Sequence, residues 1–105
     1  MPRFAANLST MFPELEPPDR FRPAARAGFQ AIEYLLPYDY PAARVRAWLD
    51  RNGLRFLLLN TLVSLSENDA PGAGIIPGRE AEFREIIDLA LTYSAALGGH
   101  LIHVR

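Results

Sequence analysis

The sequence predicts an α/β fold of four parallel strands alternating with three helices, and three observations predict it. Short apolar runs alternate with stretches of helical periodicity. Each helical stretch closes on glycine, at Gly28, Asn52-Gly53 and Gly98-Gly99. The run "RFLLLN" at 55–60 is almost entirely apolar, as expected of a parallel strand covered on both faces.

Arg3 to Leu8 reads as the first strand, ending in Asn-Leu-Ser. "PELEPPDRF" follows as a loop in which Asp19 suits the cap of a short first helix. Phe21, Ala24, Ala25 and Gly28 form its inner side, and Pro23 is tolerated because it falls near the first turn. Gln30 to Leu36 is the second strand. "PYDYP" then leads into "PAARVRAWLDRNG", where Pro41 suits a helix start and Val45, Trp48 and Leu49 share one face.

After the third strand, "TLVSLSENDAPGAGIIPG" at 61–78 is a long Pro/Gly-rich segment, unusual for a plain connection and suited to a functional loop. The clearest helix is "REAEFREIIDLALTYSAALGG". Its predicted stripe is Phe83, Ile86, Ile87, Ala90, Leu91, Ser94 and Leu97, with acids crowding the first turn. "HLIHVR" is the fourth strand. The order β-α-β-α-β-α-β over 1–105 implies right-handed crossovers and one domain. It fits half of a (β/α)8 barrel or a small doubly wound sheet.

Composition narrows the function. The 105-residue chain has a net charge of -1, its basic residues are all Arg, and these are scattered among twelve acids, which argues against nucleic acid or anionic membrane as partner. Absence of cysteine removes disulfides, thiolate metal sites and a cysteine nucleophile. There is no signal-like leader and no apolar run near the roughly 20 residues of a membrane span, so a soluble cytoplasmic protein is expected.

Each strand carries a polar residue towards its C-terminal end: Asn7, Glu33, Asn60 and His103. That end is where parallel α/β folds build their sites. Strand alternation puts Ala5, Ala31, Leu58 and Leu101 on the same face as these four, with Ile32, Tyr34, Ile102 and Val104 turned towards the helices. Glu33, a carboxylate inside an apolar strand, is then accommodated at a wet rim; pairing with an arginine is the structural alternative. His100 and His103 stand three apart on a strand, face opposite sides, and cannot chelate one ion together. Tyr38 and Tyr40 are either rim aromatics or loop packing. "PGAGIIPGRE" places glycines before a helix but matches neither common phosphate-binding pattern, and no nucleophile elbow or H-E-x-x-H motif is present.

The segments "FAANLSTMF", "GFQAIEYLLPYDYP", "NGLRFLLLNT" and "PGREAEFREIIDLALTYSAALGGHLIHV", in that order, resemble the N-terminal half of hydroxypyruvate isomerases, within the xylose-isomerase-like TIM barrels. The resemblance covers nearly the whole chain and selects the half (β/α)8 barrel. It implies interconversion of hydroxypyruvate and tartronate semialdehyde, with carboxylates moving a proton and a divalent ion, Mg2+ or Mn2+, polarising the substrate oxygens. The family's catalytic glutamates and remaining metal ligands fall in its second half. The resemblance therefore assigns this chain no catalytic residue, no metal ligand and no cofactor of its own. It places Asn7, Glu33, Asn60 and His103 on the rim of a pocket for a small hydroxy-keto acid or sugar-like substrate. A half barrel leaves strand edges unpaired, so a homo-oligomer is expected, and a non-catalytic assembly module is the alternative reading.

Overall fold

The computed structural model describes residues 4–62, 78–99 and 101–104. Its strands are β1 (Ala5–Asn7), β2 (Ala31–Glu33), β3 (Arg55–Asn60) and β4 (Leu101–His103), alternating with helices α1 (Phe21–Arg26), α2 (Ala42–Asn52) and α3 (Glu80–Leu97). The strands form one sheet in the order β1-β2-β3-β4, every pair parallel. A doubly wound sheet reverses its strand order at a switch point and covers both faces with helices. Here the order is monotonic, and the sealed residues Ala6, Ile32, Phe56 and Leu59 lie together under the helices while Leu101 is exposed. The chain is an arc of a (β/α) barrel.

The core forms between the helices and one face of this sheet. Phe21 of α1 is fully buried, with its ring centroid 6.1 Å from Tyr34 and 5.6 Å from Trp48. Val45 and Leu49 bring α2 onto the same layer, and Ala90 and Leu97 bring α3. Gly53 and Gly98 close α2 and α3 with φ of 64° and 73°, a left-handed cap that a Cβ would strain. Among the described residues no helix is long and apolar enough to cross a membrane.

Several details depart from the sequence expectation. The strands β1, β2 and β4 are shorter than the apolar runs that contain them. Asp19 does not cap α1: Pro17 and Pro18 impose a 3-10 turn over Pro17–Asp19, and the helix starts after Arg20 with no side-chain cap. Gly28 is exposed rather than inward-facing, with φ 97°. Leu91 is 53% exposed and Val104 51% exposed, so neither turns into the core, and Tyr93 packs against it instead of Leu91. Among the described residues, β3 is covered by helices on one face only. The register slips between Ile32 and Glu33, pairing Ile32 with Phe56 but Glu33 with Leu58, so Leu57 is the extra residue of a bulge. Phe56 and Leu59, three apart, are thereby both brought onto the sealed side. His100 and most of the 61–78 segment lie outside the described residues.

Candidate functional site

Because all strands run parallel, their C-terminal ends share one edge, and backbone hydrogen bonds continue there past the strands. The Leu8 amide donates to the Glu33 carbonyl at 2.8 Å, the Asn60 amide to the Leu35 carbonyl at 2.7 Å, and the Thr61 amide to the His103 carbonyl at 2.9 Å. Asn7, Glu33, Asn60 and His103 all stand at this edge, but in two tiers. Asn7 pairs with Glu33, and Glu33 pairs with Leu58, which pairs with Leu101. Asn60 pairs with His103 two residues further along. The structure thus joins Asn7 to Glu33 and Asn60 to His103, and the staggered register sets one pair above the other.

The four differ in how far their side chains are already occupied. The Asn7 amide oxygen accepts the Ser9 N–H at 3.0 Å, a local turn bond that ends β1, and its carbonyl accepts the Met11 amide at 2.8 Å. Glu33 is half-buried and His103 is exposed. Asn60 is 7% exposed, and among the described residues its buried Oδ1 has no hydrogen-bond partner. A buried acceptor without a donor costs roughly 1–3 kcal/mol, so it is the most poised polar group of the edge.

Neighbouring loops hold the edge in shape through Ser9 and Arg20, which sequence patterning alone did not single out, and through the tyrosines. The Ser9 hydroxyl accepts the Leu35 amide at 2.9 Å, tying the end of β1 to the end of β2. Arg20 donates to the Leu8 carbonyl at 2.7 Å and the Leu15 carbonyl at 2.9 Å, bracing the loop between β1 and α1. Tyr38 donates its hydroxyl to the Asn60 carbonyl at 2.5 Å and stacks edge-on against Tyr93 at 5.0 Å. Tyr93 donates to the Tyr40 carbonyl at 2.7 Å, and Tyr40 meets Trp48 edge-on at 5.1 Å. The packing reading therefore holds for Tyr38 and Tyr40. Burial pushes the Tyr38 phenol up to about 12, with Tyr93 adding to the effect. Burial does the same at Tyr34, reinforced by Tyr40 and Asp39 and opposed by Arg20.

Among the described residues no group of three or more His, Asp or Glu side chains could hold a metal ion. Glu33 and His103 stand in different tiers, Glu33 paired with Leu58 and His103 with Asn60.

The chain belongs to the xylose isomerase-like TIM barrel family, which it matches over residues 21–105. Among its relatives is the 2-oxo-tetronate isomerase of Haemophilus influenzae, 49% identical over 104 residues, which cover 99% of this chain and 40% of the relative. The hydroxypyruvate isomerase of Escherichia coli is 39% identical over 103 residues, covering 98% of this chain and 40% of the relative. A crystal structure titled AP endonuclease, family 2, from Brucella melitensis superposes with a TM-score of 0.88 at 44% identity, over 99% of this chain and 40% of that one. The chain thus spans about 40% of the length of these relatives.

Proposed function

We propose that this chain forms the first arc of a hydroxypyruvate isomerase-like barrel acting on a small 2-oxo or hydroxy-keto acid in cytoplasmic carbohydrate metabolism. Its part in that reaction is to border the substrate, through Asn7, Glu33, Asn60 and His103, rather than to move the proton. The observation that carries the reading is the 49% identity over 104 residues to a relative named 2-oxo-tetronate isomerase. The common edge of the four polar residues supports it, and so does the buried Asn60 acceptor, which a substrate hydroxyl would satisfy by donating to it. The chemical step needs carboxylates, and a divalent ion such as Mg2+ or Mn2+ needs donors, beyond those these four provide.

The test has two parts on the purified chain. Hydroxypyruvate isomerase assays with and without Mg2+ or Mn2+ are expected to give no turnover; metal-stimulated turnover would return Glu33 and His103 to candidate catalytic roles. In NMR, hydroxypyruvate is expected to shift the Asn60 side-chain amide and to leave that of Asn52, on α2, in place. No shift at Asn60 would remove the rim assignment.

A second reading is favoured by the edges. β1 and β4 are the outer strands of the sheet, and β4 carries Leu101 at 61% exposure with Val104 just beyond it. A half barrel with such an edge serves as an assembly module that buries it against a second copy. Sedimentation is then expected to return a dimer or larger species, and a single monodisperse monomer would contradict it.

A further inference from the structure

Between α1, α2 and the 3-10 turn that precedes α1, the helical layer carries an open groove of about 580 Å³, within the size range of small-molecule sites. No strand residue lines it, so it belongs to the helices and not to the sheet edge that carries the four polar tips. Three arginines, Arg22, Arg26 and Arg51, line it together with one acidic residue, Asp19. The ion pairs among the described residues, Arg46 with Asp50 and Arg79 with Glu82, use none of these three arginines.

Helix electrostatics account for only part of this arrangement. Arg26 and Arg51 occupy the last turns of α1 and α2, where a cation complements the carbonyl ends. Arg22 is the second residue of α1, at the end where the helix field disfavours a cation, and it lies four residues from Arg26 on the same face. Three like charges around one concavity raise a positive potential that a bound anion relieves. The walls are preorganised. Pro18 and Pro23 have fixed φ, Trp48 is held by Phe21 and Tyr40, and Asn52 is anchored by donating to the Trp48 carbonyl at 2.8 Å.

We propose that this groove binds a small, multiply charged oxyanion, the phosphate group of a phosphate ester or the carboxylates of a polycarboxylate. Arg22, Arg26 and Arg51 are its donors, and Trp48 is its apolar wall. Guanidinium suits both chemistries because its fork matches two oxygens at once. The site is independent of the isomerase reading.

Trp48 is the chain's sole tryptophan and reports the groove directly. Its fluorescence is titrated separately with inorganic phosphate and with citrate, at ionic strength held constant with NaCl. A saturable change with either probe is expected, and which one saturates identifies the ligand chemistry. Arg22→Gln, Arg26→Gln and Arg51→Gln are each expected to weaken binding about tenfold with the urea midpoint unchanged. The proposal is overturned if neither probe saturates, if NaCl alone reproduces the change, or if all three variants bind like the parent. Saturation by polyglutamate or duplex DNA with neither small probe binding also overturns it, in favour of a macromolecular partner.

Discussion

On the helix side of the sheet Ala6, Ile32 and Leu59 are sealed from solvent, whereas on the opposite side Leu101 keeps 61% of its surface exposed. Both faces belong to the same strands, so strand propensity does not separate them. The difference is what packs on each. α1, α2 and α3 all lie on one side and supply Phe21, Val45, Leu49, Ala90 and Leu97. The opposite side has small Ala5 and Ala31, the half-buried Leu58 and the polar edge residues. Stability is concentrated under the helices, and the open face is free to vary in chemistry. A barrel arc can therefore carry polar groups on one surface without endangering its fold.

The comparison is broken most severely at Phe21. It is fully buried between Tyr34 and Trp48, and its truncation leaves a cavity that two rings in their own rotamers cannot fill. Phe21→Ala is expected to cost about 3–5 kcal/mol, read from urea unfolding followed by Trp48 fluorescence. A loss no larger than that of a surface substitution would mean that the helical layer does not carry the fold.

The sealed face is legible in β2, whose Ile32 and Tyr34 alternate with Glu33, but not in β3, whose unbroken apolar run suits cover on both sides; how the strands meet is legible only in part. The bounds of β3 follow from an apolar run closed by Gly53 on one side and Asn60 on the other, and those of α2 and α3 from their terminal glycines. The bulge at Leu57 left no trace, because three consecutive leucines look the same whichever face each one takes. Spacing assigns Leu91 to the buried stripe, yet it lies roughly 100° around the axis from the centre of the arc formed by Ile86, Ala90, Ser94 and Leu97. An apolar residue at such a margin is buried only if a neighbour reaches it. The four polar tips were placed at one edge by periodicity, but their two tiers depend on register, which a single sequence does not encode. The links from Ser9, Arg20 and Tyr38 join residues 12 to 26 positions apart, and no local pattern announces them.

A smaller effect is expected at Tyr38, which joins the sealed layer to the polar edge. Tyr38→Phe removes its hydrogen bond to the Asn60 carbonyl and is expected to cost about 1 kcal/mol, with the Asn60 amide exchanging faster with solvent. The same residue gives the fold an alkaline limit. The Tyr34 and Tyr38 phenols lie at about 12 in the folded chain against an ordinary value of 10.0, so between these values the folded state holds protons that the unfolded state has released. Their contribution is complete below pH 10 and is lost as pH rises towards 12. Stability measured across that window should fall, and Tyr38→Phe should fall less steeply; parallel curves would remove Tyr38 as a cause.

The smallest effect on folding is expected on the open face, and its size is what gives the comparison meaning. Leu101→Ser changes a side chain already in water, so the unfolding free energy should move by no more than about 0.5 kcal/mol. If the β4 edge is where two copies meet, the same substitution removes apolar area from that contact and shifts the sedimentation profile towards monomer. A large loss of stability at low concentration would show that Leu101 is covered within a single chain. An unchanged profile would mean that the contact lies elsewhere, leaving β1, with Phe4 at 70% exposure beside it, as the remaining edge.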